Sequence, residues 1–134
     1  MEEMNVPSLK CKIEILSSIN PSEDPHKVES AILNIFPNCD IKIEKFSIKG
    51  DSNDLHLFEK IHEAIHSMQS QRSYRRALQK NLDNDSTWFY LNKQAAFAGK
   101  IALCEKSDES PLGPIKVVLT SATIDRIIDW LILE

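Results

Sequence analysis

The stretch STWFYLNKQAAFAGKIAL, residues Ser86 to Leu103, decides the fold of this 134-residue chain. Large side chains occupy both parities from Thr87 to Leu91, which predicts a strand with an aromatic or apolar side chain on each face. The polar triplet Asn92-Lys93-Gln94 then interrupts the apolar pattern where neither a strand nor an amphipathic helix would place it. An Ala-Gly pair supplies a tight return into a second strand, Lys100 to Glu105, and a Pro-flanked glycine precedes a third, Ile115 to Leu119.

Two more strands are predicted upstream of this stretch. Leu9 to Ile15 alternates apolar with charged or polar residues, the pattern of a strand with one buried face. The apolar residues of Asp40 to Lys49 change parity halfway along. We therefore expect a bulge at Glu44-Lys45 that restores a single buried face, followed by a turn from Gly50 to Asp54.

Four helical segments are predicted from apolar residues at helical spacing. They are Glu23 to Phe36, capped by Ser22; Leu57 to Met68, with both end residues on the buried face; Arg72 to Leu82, which buries Ala77, Leu78 and Tyr74; and Ala122 to Leu133, capped by Ser121. In the last of these, Trp130 lies beside the apolar stripe, so we expect its side chain to be partly exposed.

The predicted order of elements is β-α-β-α-α-β-β-β-α. It indicates a single domain over residues 1–134 of the α+β class, with two layers: a mixed or antiparallel sheet of about five strands, and helices on one of its faces. A chain of this length can bury about two-thirds of its unfolded surface, which is enough for a core without disulfides or metals.

Cysteine and glycine usage excludes several classes of protein. Cys11, Cys39 and Cys104 are far apart and form no Cys-x-x-Cys pair, which argues against a disulfide framework and a zinc knuckle. Only three glycines are present, so we expect no phosphate loop, dinucleotide site or other cofactor. The start of the chain is acidic and no long apolar run occurs, so we expect no signal peptide, no membrane span and a cytoplasmic protein.

Basic residues concentrate in one part of an acidic chain. The formal net charge is −4. Gln71 to Cys104 holds six basic and two acidic residues, a balance of +4, whereas the remainder holds ten basic and eighteen acidic residues, a balance of −8. A local basic surface is typical of proteins that contact nucleic-acid phosphates, although such a cluster also occurs on solvated helix faces.

One motif suggests an enzyme. His62-Glu63-Ala64-Ile65-His66 matches His-Glu-x-x-His, in which two histidines bind zinc and the glutamate activates water. A catalytic zinc needs a third protein ligand, and none follows at a suitable spacing. The helical wheel places these residues beside the apolar stripe, facing solvent. We therefore expect no zinc and no enzymatic activity, and keep a zinc hydrolase as a remote alternative.

Several segments together resemble an archaeal group, uncharacterised protein family two-zero-one, whose members are described as predicted RNA-binding proteins. The similar segments are Leu91–Ala96, Gly99-Lys100, Pro111–Ile115, Ile128–Leu131, Arg72–Arg76 and, more weakly, Pro21–Asp24 and Asn34–Pro37. The resemblance covers nearly the whole chain. It implies an α+β fold similar to the ribosomal protein that binds five-S RNA.

We therefore predict an RNA-binding domain that uses a basic helix and the adjoining polar turn. The candidate contacts are Arg72, Tyr74, Arg75, Arg76, Lys80, Asn92, Lys93, Gln94 and Lys100. Five aromatic residues could stack on bases, although we expect at least three of Tyr74, Trp88, Phe89, Tyr90 and Phe97 to be buried. The polar triplet could equally satisfy backbone groups where the sheet turns. The alternative function is a structural or protein-interaction module, with a second copy of the chain as a possible partner.

Overall fold

A six-stranded antiparallel sheet forms one layer of the protein in the computed structural model, which describes residues 6–134. Its strands are β1 Lys12–Ser18, β2 Asp40–Ile43, β3 Ser47–Ser52, β4 Ser86–Leu91, β5 Leu103–Cys104 and β6 Ile115–Thr120. They lie in the order β2-β3-β1-β6-β4-β5, and every neighbouring pair is antiparallel. The α+β class is as predicted, and the mixed-sheet alternative does not apply.

Helices form the second layer. They are α1 Pro25–Ile35, α2 Glu59–Ser67, α3 Gln71–Lys80, α4 Lys93–Phe97 and α5 Ile124–Leu133, with short 3-10 turns at Leu55–Phe58 and Ser107–Glu109. No helix within residues 6–134 is long and apolar enough to cross a membrane.

Strand register decides which face of the sheet is buried. Val117 of β6 lies opposite Ile15 of β1 on one side and Phe89 of β4 on the other, so the three side chains share a face. All three are buried in one apolar cluster with the helices. The opposite face is more open, and Trp88 and Tyr90 are partly exposed there.

The second predicted strand is two strands joined by a reversal, which makes six strands instead of about five. The chain turns where a bulge at Glu44-Lys45 was expected, and the Glu44 N–H donates to the Ser47 carbonyl at 2.8 Å. Phe46 lies in this turn and is 64% exposed, and Ile43 is also exposed. The predicted turn from Gly50 is instead the end of β3.

The first three helical segments differ from prediction at their ends. Asp24 caps α1, because its Oδ1 accepts the His26 N–H at 3.0 Å, whereas the prediction assigned this role to Ser22. Met68 lies just after α2 and is 68% exposed, so its predicted burial is wrong. The α3 helix ends at Lys80, before Leu82.

Helix α5 begins at Ile124, later than predicted, and Ser121 does not cap it by a side-chain bond to the helix. The Ser121 hydroxyl accepts the Thr123 N–H at 3.1 Å in the turn before the helix. Trp130 is only 1% exposed, so its predicted exposure is wrong. Its indole stacks on His62 of α2, with ring centroids 5.1 Å apart, because α2 covers that side of α5.

The polar triplet begins a helix, which the sequence pattern did not predict. Asn92 is the cap of α4, and its Oδ1 accepts the Ala95 N–H at 3.0 Å. Gly99 ends this segment with a φ of +73°, a conformation that suits glycine. The following strand covers only Leu103–Cys104, not Lys100 to Glu105.

Candidate nucleic-acid interface

Helix α3 combines a buried side with a strongly basic outer surface. Its ten residues, QRSYRRALQK, include four basic residues and no acidic one. Tyr74 and Leu78 are buried, and the Tyr74 ring meets Phe89 of β4 edge-on at 5.7 Å between centroids. This packing turns the basic side chains outward: Arg72, Arg76 and Lys80 are exposed and Arg75 is half-buried.

Two side-chain hydrogen bonds fix the end of α3 against β4. The Thr87 hydroxyl donates to the Leu78 carbonyl at 2.6 Å. The Asn81 Nδ2 donates to the Trp88 carbonyl at 2.9 Å. Both bonds satisfy backbone carbonyls, one at the helix end and one at the strand edge. The basic surface of α3 is therefore attached to the sheet in a defined orientation.

The positive charge of α3 is largely uncompensated within the protein. Arg76 lies 3.6 Å from the carboxylate of Glu105, and both side chains are mostly exposed. Among the described residues, Arg72, Arg75 and Lys80 form no ion pair. An exposed pair contributes little to stability, so this surface remains available to an external anion.

Arg72 and Arg75 also line an open cavity of about 450 Å³ with Gln71 and His66. His66 Nε2 donates to the Leu131 carbonyl at 3.0 Å, and its Nδ1 accepts from the Gln71 amide at 3.3 Å. These bonds attach His66 to α5 and to the start of α3. Arg72 and Arg75 bring positive charge to the cavity.

Lys93 lies in the interior, although we predicted it as a surface contact. Its side chain is 0% exposed and its ammonium lies 3.1 Å from the carboxylate of Glu23, which is 5% exposed. Burial raises the pKa of Glu23. Hydrogen bonds from Asn20 and the Lys93 ammonium outweigh this effect, so the pKa of that carboxyl lies below its usual value. Glu23 therefore remains ionised beside Lys93.

The other two members of the polar triplet also have internal partners. Besides the cap made by Asn92, the Gln94 Nε2 donates to the Pro111 carbonyl at 2.8 Å and its Oε1 accepts from the Ser110 hydroxyl at 3.0 Å. These bonds hold the loop that leads into β6. The structure thus shows structural contacts for all three residues.

Tyr74 and Lys100 are also separated from the outer surface of α3. Tyr74 is buried beneath the helix. Lys100 is exposed, but it lines a different cavity, beside Lys60 and Met68 near α2. Of the nine predicted contacts, the structure brings together Arg72, Arg75, Arg76 and Lys80 on one helix.

Fewer aromatic residues are buried than expected. Tyr74 and Phe89 are buried, whereas Trp88 and Tyr90 are partly exposed and Phe97 is exposed. The ring centroids of Trp88 and Tyr90 lie 4.7 Å apart on the open face of the sheet. Lys116, absent from the predicted contacts, holds its Nζ 4.7 Å above the Trp88 ring. The alternating pattern of β6 could have placed Lys116 on this face of the sheet. It does not show which strand lies next to β6, so the contact with Trp88 could not be predicted.

The histidines of the His-Glu-x-x-His motif face α5, not solvent as predicted. The rings of His62 and His66 lie 4.4 Å apart between centroids, and Trp130 stacks on the first of them. Glu63 is exposed. Within residues 6–134, no group of three or more His, Cys, Asp or Glu side chains could hold a metal ion. The motif here belongs to the packing of α2 on α5.

Comparison with known proteins gives consistent results over nearly the whole chain. A family model described as RNA binding matches residues 12–121. A UPF0201 protein of Methanothermobacter thermautotrophicus is 36% identical over 120 residues, which cover 90% of this chain and 89% of the relative. A UPF0201 protein of Sulfurisphaera tokodaii is 39% identical over 124 residues, covering 90% and 86%. The crystal structure of a UPF0201 protein from Methanococcus jannaschii shares the fold with a TM-score of 0.78 at 30% identity, covering 92% of this chain and 93% of that one.

Proposed function

The chain belongs to the UPF0201 family, the group that its sequence resembles, and we propose that it binds RNA through the outer surface of α3. The family model described as RNA binding extends from β1 to just beyond β6 and includes this helix. The proposal names Arg72, Arg75, Arg76 and Lys80 as phosphate contacts. It assigns no catalytic role to the protein.

The observation that carries the proposal is the unbalanced charge of α3. The helix has four basic residues and no acidic residue in a chain with a formal net charge of −4. Its arginines can donate two parallel hydrogen bonds to a phosphate, a geometry that lysine does not offer. Asn92, Lys93 and Gln94 have internal partners, so they enter the proposal only as supports of the neighbouring loop.

The salt dependence of RNA binding tests this proposal. If α3 neutralises about four phosphates of single-stranded RNA, the plot of log affinity against log salt should have a slope of about −3. Changing Arg72, Arg75 and Arg76 together to Ala should weaken binding strongly and bring the slope to roughly −1. Folding should change little, because among the described residues only Arg76 of the three forms an ion pair, and that pair is exposed.

A matched control removes the same charge elsewhere. Lys10, Lys27 and Lys42 are exposed and lie outside α3. Changing all three to Ala lowers the net charge as much as the arginine variant does, and should leave most of the affinity and slope in place. Equal losses in the two triple variants, or an arginine variant that binds like the parent, would refute an interface on α3.

A second candidate is a protein-interaction module that uses the free edge of the sheet. Strand β2 is an edge strand, and both Ile43 and Phe46 at its turn are exposed. Unpaired strand edges with apolar side chains are sites of pairing with another chain. Light scattering that shows a dimer, lost in Phe46→Ser but kept in the triple arginine variant, would favour this function.

A further inference from the structure

A small cavity lies where α3 meets the edge of β4. Arg76, Ala77, Lys80 and Asn81 border it from the helix side, and Trp88 and Glu105 border it from the sheet side. Its volume is about 290 Å³. The cavity exists because β5 pairs only with Tyr90 and Leu91, so no strand covers the β4 edge at Trp88.

The lining changes from apolar to charged between the interior and the mouth. Ala77 and the buried Phe89 supply apolar surface, and the aromatic residue Trp88 lies alongside. Arg76 and Glu105 are mostly exposed, which places their charged groups toward solvent. The volume is at the lower end of the range for ligand cavities, roughly 300 Å³ and upward. It therefore suits one planar ring system better than an extended chain.

Both donors and acceptors border the cavity: Arg76 and Lys80 are cations at its mouth, and Asn81 and Glu105 carry acceptor oxygens. The Asn81 Nδ2 is occupied by the Trp88 carbonyl, while Asn81 Oδ1 has no hydrogen bond to any described residue. The carboxylate of Glu105 lies 3.6 Å from Arg76 and, with about four lone-pair sites, can accept further hydrogen bonds. A ring with an exocyclic amino group would supply a donor to Asn81 Oδ1 and a further donor to the Glu105 carboxylate.

We propose, on the basis of the function proposed above, that this cavity receives one unpaired nucleobase of RNA, with a preference for bases that carry an amino group. Arg76 and Lys80 at the mouth hold the flanking phosphates, and the base lies against Ala77 and Trp88. A paired base cannot leave its helix without losing its partner, so the ligand is single-stranded RNA and not a duplex. The base contact adds affinity without adding a phosphate contact.

Two oligonucleotides of equal charge test the preference for an amino group. Oligocytidine and oligouridine differ at the base edge, where cytosine has an amino group and uracil a carbonyl oxygen. The parent protein should bind oligocytidine roughly three- to tenfold more tightly, with the same salt slope for both. Glu105→Ala should bring this ratio toward one, and binding to oligouridine should strengthen because a negative charge is lost.

A cavity-filling variant tests the location. Ala77→Leu should weaken binding to oligocytidine by about tenfold or more and leave the salt slope unchanged. Gln79→Leu adds the same side chain at an exposed position of α3 outside the cavity, and should bind like the parent. Urea unfolding of each variant shows whether it is folded. If Ala77→Leu does not fold, the Glu105→Ala variant still tests the proposal, because position 105 is exposed and the measurement is the ratio of the affinities for oligocytidine and oligouridine.

The outcomes separate this proposal from the one on which it rests. Equal binding of the two RNAs by the parent, duplex binding as tight as single-stranded binding, or parental affinity in folded Ala77→Leu would overturn the base-binding cavity. RNA binding through α3 would stand in each case if the triple arginine variant loses its salt slope. If the parent binds no RNA at all, the proposed function itself fails.

Discussion

The ammonium of Lys93 joins three segments that are far apart in sequence. It donates to the carbonyls of Ser18 and Leu112 at 2.9 Å each, and to the carboxylate of Glu23 at 3.1 and 3.2 Å. These atoms belong to the end of β1, the turn before α1 and the loop before β6. Because one buried cation contacts all of them, its removal leaves the carboxylate of Glu23 in the interior without its counter-charge, although Asn20 still donates to that carboxylate and to the Leu112 carbonyl.

Replacing Lys93 by Met should therefore lower the free energy of unfolding by about 3–5 kcal/mol, measured by urea denaturation. Lys100→Met, at an exposed position, should change it by less than about 0.5 kcal/mol. Adding Glu23→Gln to Lys93→Met should restore part of the loss, because the unpaired charge is then gone. Equal stability of the two single methionine variants would contradict this account.

His62 makes stability depend on pH. Its Nε2 is buried without a hydrogen-bond partner among the described residues. Burial lowers the pKa of His62, and the nearby His66 lowers it further; Glu134 and the backbone of α5 act in the opposite direction without reversing the shift. In the pH range just below the ordinary histidine pKa of about 6.5, the unfolded chain therefore binds more protons than the folded one at this site.

The free energy of unfolding should consequently fall as the pH decreases from about 8 to about 5.5. His62→Phe keeps a ring against Trp130 and should remove part of this decrease. His26→Phe, at an exposed position of α1, should show the parental pH dependence. Urea unfolding at several pH values gives the comparison; a parental dependence in His62→Phe would show that another group titrates.

Among the elements, those with a regular period were predicted and those that depend on distant partners were not. The alternation of β4 and the apolar stripe of α1 each match the burial in the structure. The β2–β3 turn was missed because Glu44, Lys45 and Phe46 include none of the residues that usually mark a reversal. In α5, the burial of Trp130 depends on His62 of another helix, which the helical wheel of α5 does not contain.

The candidate site was predictable to a similar extent. The four basic residues of α3 follow from local charge and helical spacing, both of which are sequence properties. The interior position of Lys93 depends on Glu23, seventy residues earlier in the chain. The cavity at the β4 edge depends on how little of the chain after Gly99 pairs as β5, and no local pattern sets that length.

Strand β3 contains a glycine whose role is steric. A Cβ added at Gly50 would clash with the Sγ of the buried Cys39, and this glycine does not have a positive φ. Gly50→Ala should therefore reduce the free energy of unfolding by about 1–3 kcal/mol. Gly99→Ala is a contrast. No atom lies within 4 Å of the added Cβ, so the loss of stability at this position comes from its φ of +73°, which suits glycine.

A double-mutant cycle separates these two causes. Cys39→Ala should relieve much of the destabilisation at Gly50 and none of that at Gly99. Urea denaturation of the single and double variants measures the coupling. Additive effects of Gly50→Ala and Cys39→Ala would show that the clash is not the source of the loss.

In the molecule as a whole, β1 is the strand that connects the two sides of the sheet. It pairs with β3 on one side and with β6 on the other, where Ile13 lies opposite Leu119. The core of this sheet is thus built from both ends of the described chain. We propose that the chain forms a single domain, and therefore predict that the protein unfolds as one cooperative unit.

Single-tryptophan variants can test this prediction. Trp130→Phe leaves Trp88 in β4 as the emitter, and Trp88→Phe leaves Trp130 in α5. Within each variant, tryptophan fluorescence and far-ultraviolet circular dichroism should give the same urea midpoint. Fluorescence that changes before or after the circular dichroism would indicate that β4 and α5 belong to separately unfolding units.

The pairing of β1 with β6 also constrains how the protein folds during its synthesis. Residues 12–18 are synthesised well before their partners at residues 115–120. Until then, β1 can pair only with β3, and its other edge has no native partner. The nascent chain therefore carries an open strand edge until β6 has been made, and we expect this edge to be a site of pairing with other chains.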